Sequence, residues 1–141
     1  MLAALVLGAD GVQIGSLFAA SEESSAHPAF KQAIVETGEG GTQLSLKKLN
    51  PVRLIRNDFF RQIEKAEAQG ATADELKEIL GKGRAKRGMF EGDIENGELE
   101  IGQSAAFIHE VLPVHVLMSR LIGEWNEALM RTNQWRPMEE S

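Results

Sequence analysis

The run Val12-Gln13-Ile14 is short, β-favouring and closed on both sides by glycine, at Gly11 and Gly15. Leu2 to Leu7 ahead of it are good helix formers, and Gly8 sits where a helix would stop. Ser16 to Ala20 behind it can start a helix. Helix, tight loop, strand, glycine turn, helix is the order of an α/β unit. A single strand leaves its ladder groups unpaired and its apolar faces wet, so a unit of this kind needs strands from elsewhere. The expectation is one short buried strand at Val12 to Ile14 in a mainly helical chain.

The remaining residues supply little more sheet. His27-Pro28 suits a helix start, because proline is tolerated in the first turn. That helix would run to about Glu36, with Phe30, Ala33 and Ile34 on one side, and end at the glycine-rich stretch Gly38 to Gly41. Thr42 to Leu46 and Val52 to Ile55 are weak extended candidates separated by Asn50-Pro51. Asp58 can cap a helix carrying Phe59, Ile63 and Ala66 that stops at Gly70. Thr72 to Glu75 matches a capping box, with Leu76, Ile79 and Leu80 following at helical spacing. Lys82 to Phe90 can form another short helix, and Glu91 to Gly102 reads as a loop. Ala105 to Leu112 and Val114 to Arg131 read as helices. The last carries Val114, Leu117, Leu121, Ile122, Trp125 and Leu129 at period 3.6.

Composition excludes several classes of function. The net charge of −6 disfavours non-specific nucleic-acid binding, which needs a basic surface to displace counterions. The chain has no cysteine, which rules out a disulfide scaffold, a thiol nucleophile and a thiolate metal site. The apolar run Met1 to Leu7 is far short of the ~20 residues of a membrane helix, and it lacks the flanks of a signal peptide. No membrane association and a cytoplasmic location are therefore expected. His109-Glu110 invites comparison with a zinc-protease helix, but His115 is six positions beyond His109 and Pro113 intervenes. The two cannot face one metal from adjacent turns, so no metal site is expected. His27 is better read as a helix cap than as a catalyst. Lys82, Arg84, Lys86 and Arg87 carry no aromatic neighbour for base stacking and read as a solvated helix face, with an acidic partner the weaker alternative.

Gly11 to Ser16 is the best candidate for chemistry. At a strand end, Gly15 lets a ligand approach the backbone without a Cβ in the way. The N–H groups of Gly15, Ser16 and Leu17, the positive helix end and the Ser16 hydroxyl together suit a phosphate. On spacing alone, an ordinary glycine-turned loop is the better reading, since short glycine motifs are common. Gln103 and Ser104 stand where a helix begins and can hydrogen-bond a ligand, although helix capping by Ser104 is the plainer role.

The ordered set of motifs is more specific than any one of them. It comprises Ala4 to Ser16, Glu22-Glu23-Ser24 with His27 to Lys31, Pro51-Val52-Arg53 with Arg56-Asn57, Gly92 to Gly97, and Gly102 to Ala105. In order and approximate spacing this set resembles the C-terminal part of the FMN-dependent nitronate monooxygenases, with the FMN-dependent enoyl-ACP reductases as relatives. The resemblance implies an α/β protein: a C-terminal fragment of a flavin-binding (β/α)8 TIM barrel plus a mainly helical C-terminal extension. A whole barrel takes roughly 250 residues, against 141 here. Residues 1–26 would hold the last barrel strand, the FMN-phosphate loop and the following helix; residues 27–141 would be the extension.

On that resemblance Gln13, Ile14, Gly15 and Ser16 bind the cofactor FMN, with Gly15 and Ser16 at its phosphate. Gln103 and Ser104 stand on the substrate side. Many relatives carry threonine at the place of Ser16, and several carry glycine at Ala106. The catalytic histidine and the second phosphate loop are expected upstream, so no catalytic residue is assigned within the chain. The implied reaction is oxidation of an alkyl nitronate with O2, the isolated chain being inactive. The alternatives are the corresponding part of an enoyl-thioester reductase using NAD(P)H, or a non-catalytic helical interaction module. The expected partner is the missing N-terminal barrel part. Without it the chain should be loosely folded or self-associate.

Overall fold

The protein is described by a computed structural model covering residues 1–134. Trp135, for which the sequence leaves exposure and docking open, lies outside the described residues. Seven α-helices and one two-stranded sheet are present among those residues. Helix α1 spans Leu2–Val6, α2 Ser16–Ala19 and α3 Pro28–Val35; strands β1 (Thr42–Ser45) and β2 (Val52–Ile55) follow. Then come α4 (Asp58–Ala68), α5 (Ala73–Leu80), α6 (Arg84–Met89), a 3₁₀ turn at Gln103–Phe107 and α7 (Val114–Asn133).

The expected strand at Val12 to Ile14 does not form. The segment between α1 and α2 belongs to no sheet, and Val12 is exposed. The cause is pairing: both strands of the sheet, β1 and β2, satisfy each other, and none lies beside Val12. The weak extended candidates did form a hairpin, antiparallel with Thr42 opposite Ile55 and Ser45 opposite Val52. Its second strand gains a further neighbour, since Ile55 N–H donates to Leu99 O at 3.0 Å and Ile101 N–H to Arg53 O at 3.1 Å. The helix expected over Ala105 to Leu112 is corrected too. Only Gln103–Phe107 winds, as 3₁₀, and Ile108 is extended where it seats in the core.

Two apolar cores organise the chain. The first joins Ala20, Phe30, Ile34, Leu99, Ile101, Ala105 and Ile108. The second joins Leu46, Leu54, Phe59, Phe60, Ile63 and Leu76 under the hairpin, α4 and α5. Leu46 adopts φ 56, a left-handed conformation unfavourable for leucine, while its side chain is buried in this second core.

Asn57 ties the two halves together. It, and not Asp58, caps α4: Phe60 N–H donates to its Oδ1 at 2.9 Å. Its Nδ2 donates to Ile94 O and Gly97 O, both at 2.8 Å, so one side chain spans a helix start and a distant loop. Arg84 adds a second clamp. Its guanidinium donates to Leu80 O, Ile79 O and Asn96 O and stands 4.6 Å from the Phe59 ring centroid. The basic cluster is therefore not simply a solvated face. Arg84 closes the end of α5, while Lys86 pairs with Glu91 and Arg87 with Asp93 on the surface. Glycine matters where α6 meets the loop, since a Cβ on Gly97 would lie 2.2 Å from the Gly88 Cα.

Asn57→Ala leaves the Phe60 N–H, the buried Gly97 carbonyl and the half-buried Ile94 carbonyl without this partner. It should cost about 2–4 kcal/mol. Denaturant unfolding read by hydrogen exchange at the Phe60 and Ile63 amides checks this; a loss near zero would remove Asn57 as the hub.

Candidate functional site

Ser16 opens α2 and Gly102 closes the stretch that runs beside β2. The Gly102 N–H donates to Ser16 Oγ at 3.2 Å across 86 residues of chain. The contact joins the Gly11 to Ser16 loop to the residue that precedes Gln103 and Ser104, while those two side chains themselves face other surfaces. The Ser16 oxygen accepts this bond, which leaves its O–H proton free to donate elsewhere. Gly15, at φ −91, needs no glycine for its backbone angles. Packing within the chain does not require it either, since a Cβ built there meets nothing within 4 Å and the space before α2 is open.

Beside this contact lies a shallow depression of about 500 Å³, lined among others by Gly15, Ser16, Arg53, Glu100 and Gly102. Nothing local in the sequence marks Arg53 beyond its place in the Pro51-Val52-Arg53 motif. Its place in the depression depends on the hairpin, where its Nη1 donates to Thr42 O at 3.0 Å. Its guanidinium is held on Thr42, where Nη1 also reaches the Thr42 hydroxyl at 3.3 Å, and Glu100 lines the same depression.

The other sequence candidates face elsewhere. Ile14 lines a separate groove of about 330 Å³ with Leu17, Ser104, Phe107, Leu117 and Leu121. Gln103 lines a third depression, with Gly38 to Gly40, Thr42 and Phe107. Gln13 is exposed. Ser104 makes no capping bond to the 3₁₀ turn, so the plainer role is not taken up. His27 does cap: its Nδ1 accepts from Ala29 N–H at 3.1 Å.

Comparison with known proteins assigns the family. The family profile for nitronate monooxygenase matches residues 1–124. The chain belongs to the nitronate monooxygenase family. It is 34% identical over 123 residues to a protein named "Probable nitronate monooxygenase" of Bacillus subtilis (strain 168), covering 86% of this chain and 35% of the relative. Among solved structures it is similar to FabK from Thermotoga maritima, with a TM-score of 0.83 and 36% identity over 93% of this chain and 42% of that one. It is also similar to a nitroalkane oxidase from Streptomyces ansochromogenes, with a TM-score of 0.68 and 29% identity over 92% of this chain and 37% of that one. The chain thus spans about two fifths or less of the relatives it matches. The family is one of oxidoreductases, and no helix among the described residues is long and apolar enough to cross a membrane.

Charge near the depression is unevenly placed. Glu98 is buried, and that burial pushes its carboxyl above the ordinary value; the nearby Glu100 adds to the rise and Arg84 opposes it. The native state then holds this proton to higher pH than the unfolded chain does. Its contribution to stability is greatest below the ordinary value of 4.5 and declines as pH rises through the raised one. Glu98→Gln should flatten that decline in melts taken at stepped pH, and an unchanged slope would contradict the assignment.

The Ser16–Gly102 contact can be tested by a pair of substitutions. A Cβ on Gly102 would lie 2.8 Å from Ser16 Oγ. Gly102→Ala should cost about 1–3 kcal/mol, and less by at least about 0.5 kcal/mol when Ser16 is already alanine. Strict additivity of the two changes in denaturant melts would show that the residues do not meet.

Proposed function

We propose that this chain is the C-terminal portion of an FMN-dependent nitronate monooxygenase-type oxidoreductase, which oxidises alkyl nitronates with O2. The observation that carries the reading is the Ser16–Gly102 contact: it unites, in a member of this family, the two segments expected at the cofactor phosphate and at the substrate mouth. The residues fit the phosphate end of FMN. Gly15 leaves open space before the start of α2, the Ser16 hydroxyl keeps a donor, and Arg53 shares the same depression. Gln13 and Ile14 would stand at the flavin, and Gln103 and Ser104 at the substrate side.

The cofactor supplies the redox chemistry when bound. This chain's own residues bind and orient: Gly15 and Ser16 hold an anion, and Ile14 belongs to a groove that combines Leu17, Phe107, Leu117 and Leu121 with Ser104, Arg120 and Glu124. The base that a neutral nitroalkane would require, the second phosphate loop and the walls for the isoalloxazine ring are assigned to the rest of the barrel. The division follows the same reading, with residues 1–26 contributing the barrel strand and phosphate loop and residues 27–141 the extension. Strand formation at Val12 to Ile14 then waits for neighbours that the barrel part provides. A second reading is the corresponding portion of an FMN-dependent enoyl-ACP reductase acting on an enoyl thioester with NAD(P)H. The greater likeness to FabK than to the nitroalkane oxidase keeps it in view.

Energetics set what the chain can do alone. One helix terminus contributes at most ~2 kcal/mol to anion binding, and α2 has only four residues. Micromolar affinity requires about −8.2 kcal/mol. The isolated chain should therefore bind FMN weakly or not at all and show no nitronate oxidation. Joined to a barrel part, it should bind FMN, and Ser16→Glu should abolish that binding through charge repulsion and lost space. Flavin fluorescence titration reads both. Tight binding by the isolated chain contradicts the division of the site, and undiminished binding by the Ser16→Glu enzyme contradicts the role of Ser16.

A further inference from the structure

Helix α7 is 20 residues long, yet only Leu117 on it is buried. Pro113 precedes it and offers no side-chain acceptor to the free N–H groups of the first turn. That acceptor comes from 91 residues away. Both carboxylate oxygens of Glu23 accept from Val114 N–H, at 3.1 and 2.9 Å. The neighbouring Glu22 N–H donates to Leu112 O at 3.0 Å. The loop carrying these groups is itself held. Lys31, buried in α3, donates from Nζ to Glu22 O at 3.0 Å and to Ser24 O at 2.9 Å, one on each side of Glu23. A fixed loop thus grips α7 at its first turn. Farther along, α7 carries only half-buried and exposed residues, with Leu121, Trp125 and Ala128 near α1. Leu117 and Leu121 form one wall of the groove whose other wall holds Ile14, Leu17, Ser104 and Phe107.

We propose that Glu23 is a latch: it fixes the angle of α7 at its first turn and so sets the opening of the Ile14–Ser104 groove. Release of the carboxylate lets α7 pivot about Pro113, away from α1, and widens the groove. This does not rest on the cofactor reading, because every contact lies within the described chain.

The intact 141-residue chain has no cysteine, so nitroxide labels can be placed at Gln32→Cys on α3 and Asn126→Cys on α7. The labelled parent should give one dominant distance, because α3, the Glu22 to Ser24 loop and the first turn of α7 are joined by contacts within this chain. Glu23→Ala should broaden or shift it, with Glu23→Gln in between because an acceptor oxygen remains. Amide exchange over Val114 to Leu117 should quicken about five- to tenfold in Glu23→Ala, the scale of a lost cap. The Phe60 and Ile63 amides should stay within about twofold, since their core does not touch the latch. An unchanged distance distribution in Glu23→Ala overturns the proposal. So does equal quickening everywhere, which would mean plain destabilisation, or a parent in which the Val114 region is already unprotected.

Discussion

An extended segment has nowhere to place its backbone hydrogen bonds except on a neighbouring strand or in water. That constraint decides the segment between α1 and α2. Val12, Gln13 and Ile14 have the composition of a strand, yet they stand beside no other, and the segment stays irregular. The apolar side chains around it are left uncovered: Val6 is 75% and Leu7 89% exposed. The far side of α7 repeats the pattern, with Met118, Ile122 and Leu129 exposed along one stripe. Where a partner does lie within the chain, folding is complete. The hairpin gains Leu99 to Ile101 as a neighbour, and the second core closes around Phe59, Phe60 and Ile63.

Local signals were legible in the sequence and nonlocal ones were not. The capping box reads directly, because Thr72 and Glu75 need only each other, and both halves of it are present. His27-Pro28 marks the start of α3 for the same reason. At the start of α4 the sequence offers two competent caps, Asn57 and Asp58, and Asn57 takes the role. What separates them is that Asn57 also has amide protons for Ile94 and Gly97, 37 and 40 residues on. Arg84 looked like one charge in a solvated run; its partners are carbonyls that only the folded loop presents. Ala105 to Leu112 is apolar enough for a helix, but its apolar residues serve the first core from a 3₁₀ turn and an extended tail.

The candidate site divides in the same way. Gly15 and Ser16 stand out from glycine placement and helix start, but not the bond between Ser16 and Gly102, nor the presence of Arg53 in the same depression. The structure distributes the sequence candidates over three surfaces: Gly15 and Ser16 on one, Ile14 and Ser104 on another, Gln103 on a third. Under the proposed function these separate surfaces would be parts of one concave site whose other walls lie in further strands. Family membership together with coverage of 35% to 42% of the relatives' length accords with that reading.

Under the proposed function, Val12 to Ile14 would become a strand once neighbouring barrel strands lie beside it. Amide hydrogen exchange over residues 9–15 tests it most directly, measured on the chain alone and on the chain joined to a barrel part carrying the preceding strands. The account predicts exchange near the unprotected rate in the first case and strong protection in the second. Protection of these amides in the isolated monomer, or its continued absence in the joined protein, would contradict it.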